Sequence, residues 1–200
     1  MMDDVTGVIL AGGKSSRMGK NKALLPLHGK PLIEHVAQRL SKIFKRVLIS
    51  IRAEENYPDL KFPKILDLYP DHGPLGGILS VLESGESKIF CAGCDMPFVN
   101  ERLIEHLCSI SADNDAVIPV WENRMQVLHA VYSASIRPIL KEAITSKQLR
   151  LMDSLKSCRV RYLSEDEVRQ FDSNGLSFRN VNTPEDYEQL LKVEPKTESG

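Results

Sequence analysis

No stretch of this 200-residue chain approaches the roughly 18 uncharged apolar residues a membrane-spanning helix needs, so no span is expected. Charge of one sign is not in excess either. The 26 basic and 27 acidic side chains leave a formal net charge of −1. Such a balance gives no general attraction to nucleic acid or anionic lipid, so any anion site must be local. Cysteine is scarce. The four residues, Cys91, Cys94, Cys108 and Cys158, include one C-x-x-C but no second pair to complete a zinc site. That pair closes an apolar, strand-like run, where residues three apart face opposite ways, whereas the redox version opens a helix. Buried, reduced thiols are expected, in keeping with a cytosolic protein. The acidic opening Met1-Met2-Asp3-Asp4 makes a poor secretory leader. A soluble, cytoplasmic protein is the expectation. The five histidines form no pair at metal-ligand spacing.

What the chain does contain is ordinary globular material, 42% hydrophobic and 26% charged, enough to build one sizeable core. A single domain over residues 1–193 with a polar tail at 194–200 is expected. The first 110 residues alternate between apolar runs and helical periodicity. "VTGVIL" (5–10), "RVLISI" (46–51), "FPKIL" (62–66) and "KIFCAG" (88–93) read as strands. Between them, "PLIEHVAQRLSKI" opens on Pro31, and "GPLGGILSVLES" starts a helix at Pro74. "NERLIEHLCSI" (100–110) is a third helix. The alternation predicts an α/β fold: a Rossmann-like three-layer αβα sandwich around a mostly parallel sheet. The second half is less regular. It offers strands at 115–120, 126–133 and 158–163, helices at 135–146 and 148–157, and a short helix in "EDEVRQF". A last strand, "FRNVN" (178–182), runs into a helix capped by Thr183 with Pro184 at its first position.

In an open α/β sheet, ligands bind outside the carboxyl ends of the strands. Chemistry-bearing residues gather there. "LAGGKSSRMGKNK" follows the first strand and places Gly12, Gly13 and Gly19 among basic residues. It is not a P-loop, because Gly13 and Gly19 enclose five residues and Gly19-Lys20-Asn21 lacks the magnesium-binding hydroxyl. It is not a dinucleotide fingerprint, since no G-x-G-x-x-G is present. A loop this long and glycine-rich suits wrapping a triphosphate with backbone N–H groups. Arg17 supplies a planar fork and Lys22 a point charge for phosphate oxygens. Asp67 and Asp95 follow later strands. Magnesium is usually bound by one or two carboxylates together with substrate phosphates, so Asp95, and after it Asp67, are candidate ligands. Asp71 competes with Asp67 for that part. Trp121 is either a platform for a flat ligand or, the more ordinary reading, a partly buried aromatic.

Taken together and in order, "GVILAGGKSSRMGKNKALLPLHGKPLIEHV", "DHGPLGGILSVL", "CDMPF" and "NVNTPED" resemble the molybdenum cofactor guanylyltransferases, within the broader nucleotidyltransferase superfamily. The resemblance spans nearly the whole chain. It implies GMP transfer from GTP, with Mg2+, to the terminal phosphate of molybdenum-molybdopterin, releasing pyrophosphate. It implies catalytic roles for Lys22, Arg17 and Asp95, and metal binding by Asp95. Nucleotide contacts are implied for Leu10, Ala11, Gly12, Gly13, Lys22, Asp67, Gly77 and Asp95, and pterin contacts for Asn180 and Asn182. Molybdoenzymes or cofactor-delivery proteins are implied as further partners, with neither nucleic acid nor membrane among them. Two positions depart from the family pattern: Asn21 stands where Asp precedes the lysine, and Ser50 where asparagine often ends the second strand. Competing expectations are a cytidylyltransferase for the same cofactor, a sugar-phosphate nucleotidyltransferase, or a nucleotide-binding carrier or sensor without catalysis.

Overall fold

A computed structural model describes residues 1–12, 21–53, 57 and 60–191. Gly13, Arg17 and Gly19 of the glycine-rich loop lie outside the described residues, as does the expected tail at 194–200. Among the described residues the chain opens with β1 (Thr6–Leu10). After the loop come a 3-10 turn at Lys22–Leu24, the short pair β2 (Pro26–Leu27) and β3 (Lys30–Pro31), and α1 (Leu32–Ile43). Next are β4 (Val47–Ile51), β5 (Lys64–Leu66), α2 (Gly73–Glu83), β6 (Lys88–Gly93) and α3 (Glu101–Ser109). The second half holds β7 (Ala116–Trp121), β8 (Arg124–Met125), β9 (His129–Ser133), α4 (Arg137–Thr145), α5 (Leu151–Ser154), β10 (Val160–Leu163), α6 (Glu165–Arg169) and α7 (Pro184–Leu191).

Local chemistry explains most boundaries. In α1, Ile33, Val36, Ala37 and Leu40 recur at i, i+3, i+4 and i+7, and all four are fully buried. α3 starts at Asn100, whose side-chain oxygen accepts from the Leu103 N–H at 3.0 Å. α2 carries Pro74 in its first turn, where a missing N–H costs nothing.

The sheet runs β10-β7-β9-β6-β1-β4-β5, with β8 added beside β7. β1 lies between β4 and β6 and is parallel to both, so Gly7 faces Val47 on one side and Phe90 on the other. β5 and β10 also join in parallel, and β9 alone on this path runs against its neighbours β6 and β7. Alternation sends side chains to two cores. Ile9, Ile49 and Phe90 pack with α1 and α3 on one face, while Val8, Leu48 and Cys91 pack with α2 and α4 on the other. The αβα sandwich is therefore present. Cys91 and Cys94 fall on opposite cores, and all four cysteines are free thiols. No described helix is long and apolar enough to cross a membrane.

Two expectations change. The helix expected over 148–157 shortens to α5 followed by a 3-10 turn at Leu155–Ser157. The last strand, expected at 178–182, does not form. The Asp172 carboxylate accepts the Leu176 and Ser177 N–H groups at 3.0 and 2.7 Å and curls the chain into a 3-10 turn at Leu176–Phe178. Residues 179–183 then run irregularly into α7, so Asn180 and Asn182 do not share a strand face.

Candidate functional site

The carboxyl ends of β1, β4, β5 and β6 open onto one cavity of about 370 Å³. Leu10, Ala11 and Gly12 supply its wall from β1, and Ser50 from β4. Asp67 enters just after β5, Gly93 to Asp95 at the end of β6, and Gly73, Pro74 and Gly77 from the start of α2. Asn21, Lys22, Pro70, Asp71 and Leu128 complete it. Parallel pairing sets this convergence: the Ala11 N–H donates to the Ser50 carbonyl at 2.9 Å, and the Asp67 N–H to the Ile51 carbonyl at 2.8 Å. Of the residues expected to contact nucleotide, Leu10, Ala11, Gly12, Lys22, Asp67, Gly77 and Asp95 all line this cavity. Gly13 and Arg17 are outside the described residues.

The far end of the glycine-rich loop is anchored. The Asn21 side-chain oxygen accepts from the Ala23 N–H at 3.2 Å and from the Tyr57 hydroxyl at 3.3 Å. The same hydroxyl lies 2.9 Å from the Ala11 carbonyl, so Tyr57 reaches both ends of the loop. Burial, then the charge of nearby Cys94 when ionised, pushes the Tyr57 phenol up to about 12, so it stays a donor. Sequence reasoning passed over Tyr57, a single aromatic with no motif around it. Lys22 donates to the Asn182 side-chain oxygen at 3.0 Å.

The two carboxylates are held differently. Asp67 Oδ1 accepts from the Tyr69 N–H at 2.8 Å and the Ser80 hydroxyl at 2.9 Å. Its Oδ2 lies 3.4 Å from the place a Cβ would take at Gly12, at the start of the glycine-rich loop. Asp95 is half-buried at the end of β6. Burial raises its pKa most, while its own backbone N–H and the Lys22 ammonium pull it back down. Asp71, the competitor, takes an ion pair from Arg52 at 3.2 Å. Among the described residues no three His, Cys, Asp or Glu side chains cluster to make an all-protein metal cage. Two carboxylates in one cavity are the donor set that suits a hard divalent cation sharing its shell with substrate phosphates. Beside Asp95, burial and then the Asp95 charge push the Cys94 thiol up to about 12, so no thiolate nucleophile is offered here.

Ser50 is 1% exposed and its hydroxyl oxygen has no hydrogen-bond partner among the described residues. A buried hydroxyl without a partner is costly, and this one belongs to a residue lining the cavity. A second cavity, about 750 Å³, adjoins the first through Leu128 and is lined by Met96, Trp121, Arg124, Phe178 and Asn180 among others. The Asn180 side-chain oxygen is buried and takes no hydrogen bond from the described residues. Trp121 is 8% exposed, packed near Phe178 and covered by the Arg169 guanidinium at 4.5 Å, which matches the buried-aromatic reading.

Residues 7–160 match the family described as MobA-like NTP transferase domain. The match ends before the segment that carries Asn180 and Asn182. A protein of Carboxydothermus hydrogenoformans named as a probable molybdenum cofactor guanylyltransferase is 33% identical over 96% of this chain and 98% of its own length. One of the same name from Pelotomaculum thermopropionicum is 37% identical, covering 92% of this chain and 91% of the relative. Among solved structures, the molybdopterin-guanine dinucleotide biosynthesis protein A of Archaeoglobus fulgidus superposes with a TM-score of 0.82 at 30% identity. That superposition covers 93% of this chain and 96% of the other.

Proposed function

The chain belongs to the MobA-like NTP transferase family and is a nucleotidyltransferase; from that premise we propose that it transfers GMP from GTP to the terminal phosphate of molybdenum-molybdopterin. The observation that carries the reading is the meeting of Leu10 to Gly12, Lys22, Asp67, Gly77 and Asp95 in one cavity at the carboxyl edge of the sheet. The names of the relatives supply the substrates.

The chemistry asks little covalent work of the protein. The acceptor phosphate is already anionic near neutral pH, so its oxygen needs no general base. A bond forms from that oxygen to the α-phosphorus, the bond from the α-phosphorus to the bridging oxygen breaks, and pyrophosphate leaves with the electron pair. Catalysis is then positioning and charge neutralisation. Gly12 leaves room for phosphate beside Asp67, and Lys22 neutralises the triphosphate. Asp95, with Asp67, would hold Mg2+. Bound there, the ion supplies positive charge against the developing negative charge of the leaving pyrophosphate. Ser50 and Gly77 sit together, the Ser50 oxygen 3.5 Å from where a Gly77 Cβ would lie, and make the surface for the base or ribose. Asn180, on the adjoining cavity, is the contact for the pterin body.

Pyrophosphate release is the test. Each of GTP, CTP, ATP and UTP is supplied with Mg2+, with and without molybdenum-molybdopterin, to the wild type and to Asp95→Ala. Release is expected only with GTP and acceptor together, and to fall at least a hundredfold in Asp95→Ala. Release with CTP instead moves the assignment to cytidylyl transfer. Normal turnover of Asp95→Ala removes the metal role.

A further inference from the structure

Lys22 is tied to the opposite end of the chain. Its partner Asn182 lies 160 residues away and stands on an anchored turn. The Asn182 and Thr183 N–H groups both donate to Asp186 Oδ2 at 2.9 Å, and the Asp186 N–H donates to Thr183 Oγ1 at 3.1 Å. This reciprocal bonding fixes the start of α7. One residue earlier, the Val181 N–H donates to the Asp95 carbonyl at 3.2 Å. Further along, the Tyr187 hydroxyl donates to the Pro26 carbonyl. Val181 and Leu190 are buried against Leu27 and Leu32, beneath the same turn. Residues 181–190 thus bind the two segments that carry Lys22 and Asp95, and fasten them to each other.

We propose that Asn182 is a positioning residue for Lys22, serving the nucleotide and not the pterin. An ammonium has three donors and no acceptor. A bond given to a neutral amide oxygen leaves the positive charge whole. A carboxylate in that place would cancel part of the charge the triphosphate needs. Holding the long lysine stem in advance also lowers the rotamer entropy lost when nucleotide binds. The Asn182 side-chain oxygen is committed to this bond, whereas that of Asn180 is buried without a partner among the described residues and belongs to a residue on the adjoining cavity. The two asparagines therefore have separate duties. The inference rests on the nucleotide role proposed above for Lys22.

The test is equilibrium binding of a GTP analogue with a fluorescent ribose substituent, in Mg2+. It compares the wild type, Asn182→Ala, Lys22→Ala and the double variant, with steady-state KM for each substrate alongside. Asn182→Ala is expected to weaken the analogue about fivefold, the size of one hydrogen bond, and to raise the KM for GTP while leaving that for the acceptor unchanged. In the Lys22→Ala background the same change should have no effect. An equal loss in both backgrounds, or a raised acceptor KM with GTP binding intact, overturns the positioning role. If the wild type binds another nucleotide in place of GTP, the GTP assignment falls and the coupling is read with that nucleotide. A wild type that binds no nucleoside triphosphate overturns both.

Discussion

Asn21 departs from the aspartate of the related motif, and its neighbours show what the change preserves. It keeps the oxygen that the Ala23 N–H and Tyr57 hydroxyl use, so the loop end stays anchored while one negative charge beside Lys22 is lost. Asp67 and Asp95 were legible in the sequence because charged residues just after apolar runs mark the binding edge of such a sheet, and Lys22 because it closes the glycine-rich loop that follows the first strand. Tyr57 was not, because its role comes from a hydroxyl bonding 46 residues back in the chain. Nor was His129, a residue of an apolar strand. It is fully buried, with its ring edge-on to those of Phe90 and Phe178, and neither ring nitrogen has a hydrogen-bond partner among the described residues. Burial lowers its pKa to about 3, against a weaker upward pull from Asp172. Protonation therefore favours the unfolded chain. Its contribution to stability is complete above pH 6.5, the ordinary histidine value, and is lost as pH falls from there towards 3. The slope reaches about 1.4 kcal/mol per pH unit. His129→Phe should flatten the dependence of the urea midpoint between pH 6.5 and 5, and parallel curves for the two proteins would refute this.

Among the elements, α1 to α3 and β1 to β6 were readable wherever period and length agreed. The pair β2 and β3 and strand β8 were not, since two residues carry no period. "FRNVN" misled because its two apolar residues, Phe178 and Val181, lie three apart and do not alternate, and because Asp172 offers the preceding backbone a nearer partner. The start of α2 shows how closely one element is fitted to the site. A Cβ at Gly76 would lie 2.2 Å from the Tyr69 carbonyl oxygen, in the turn that orients Asp67. Gly76→Ala must push α2 away from that turn. We expect about 1–3 kcal/mol of destabilisation, typical of overpacking, together with weaker nucleotide binding. At Gly77 the nearest obstacle is the far end of the Leu10 side chain at 2.9 Å and not backbone. Gly77→Ala should cost less stability but narrow the cavity. Chemical denaturation and nucleotide titration on both variants separate the effects, and equal midpoints for Gly76→Ala and wild type would contradict the fit described here.

At the scale of the molecule, the site draws on segments from residue 10 to residue 182, so nucleotide binding should stabilise the whole fold. At a hundred times Kd the gain is about 2.7 kcal/mol, or roughly 5–10 °C in Tm for a chain of this size. GTP with Mg2+ should give a larger shift than CTP or ATP, measured by thermal scanning, and equal shifts would remove the preference for guanine. The parallel half of the sheet was foreseeable from βα alternation. The antiparallel β9 was not, because strand direction depends on which edge remains open when that strand arrives. The bond from Lys22 to Asn182 also has a consequence in time. A ribosome adds about 5–20 residues per second, so Lys22 is made about 8–30 s before its partner across 160 residues. A nascent chain therefore carries Lys22 without its fastening until the turn before α7 has formed, and nucleotide affinity should reach its full value only then.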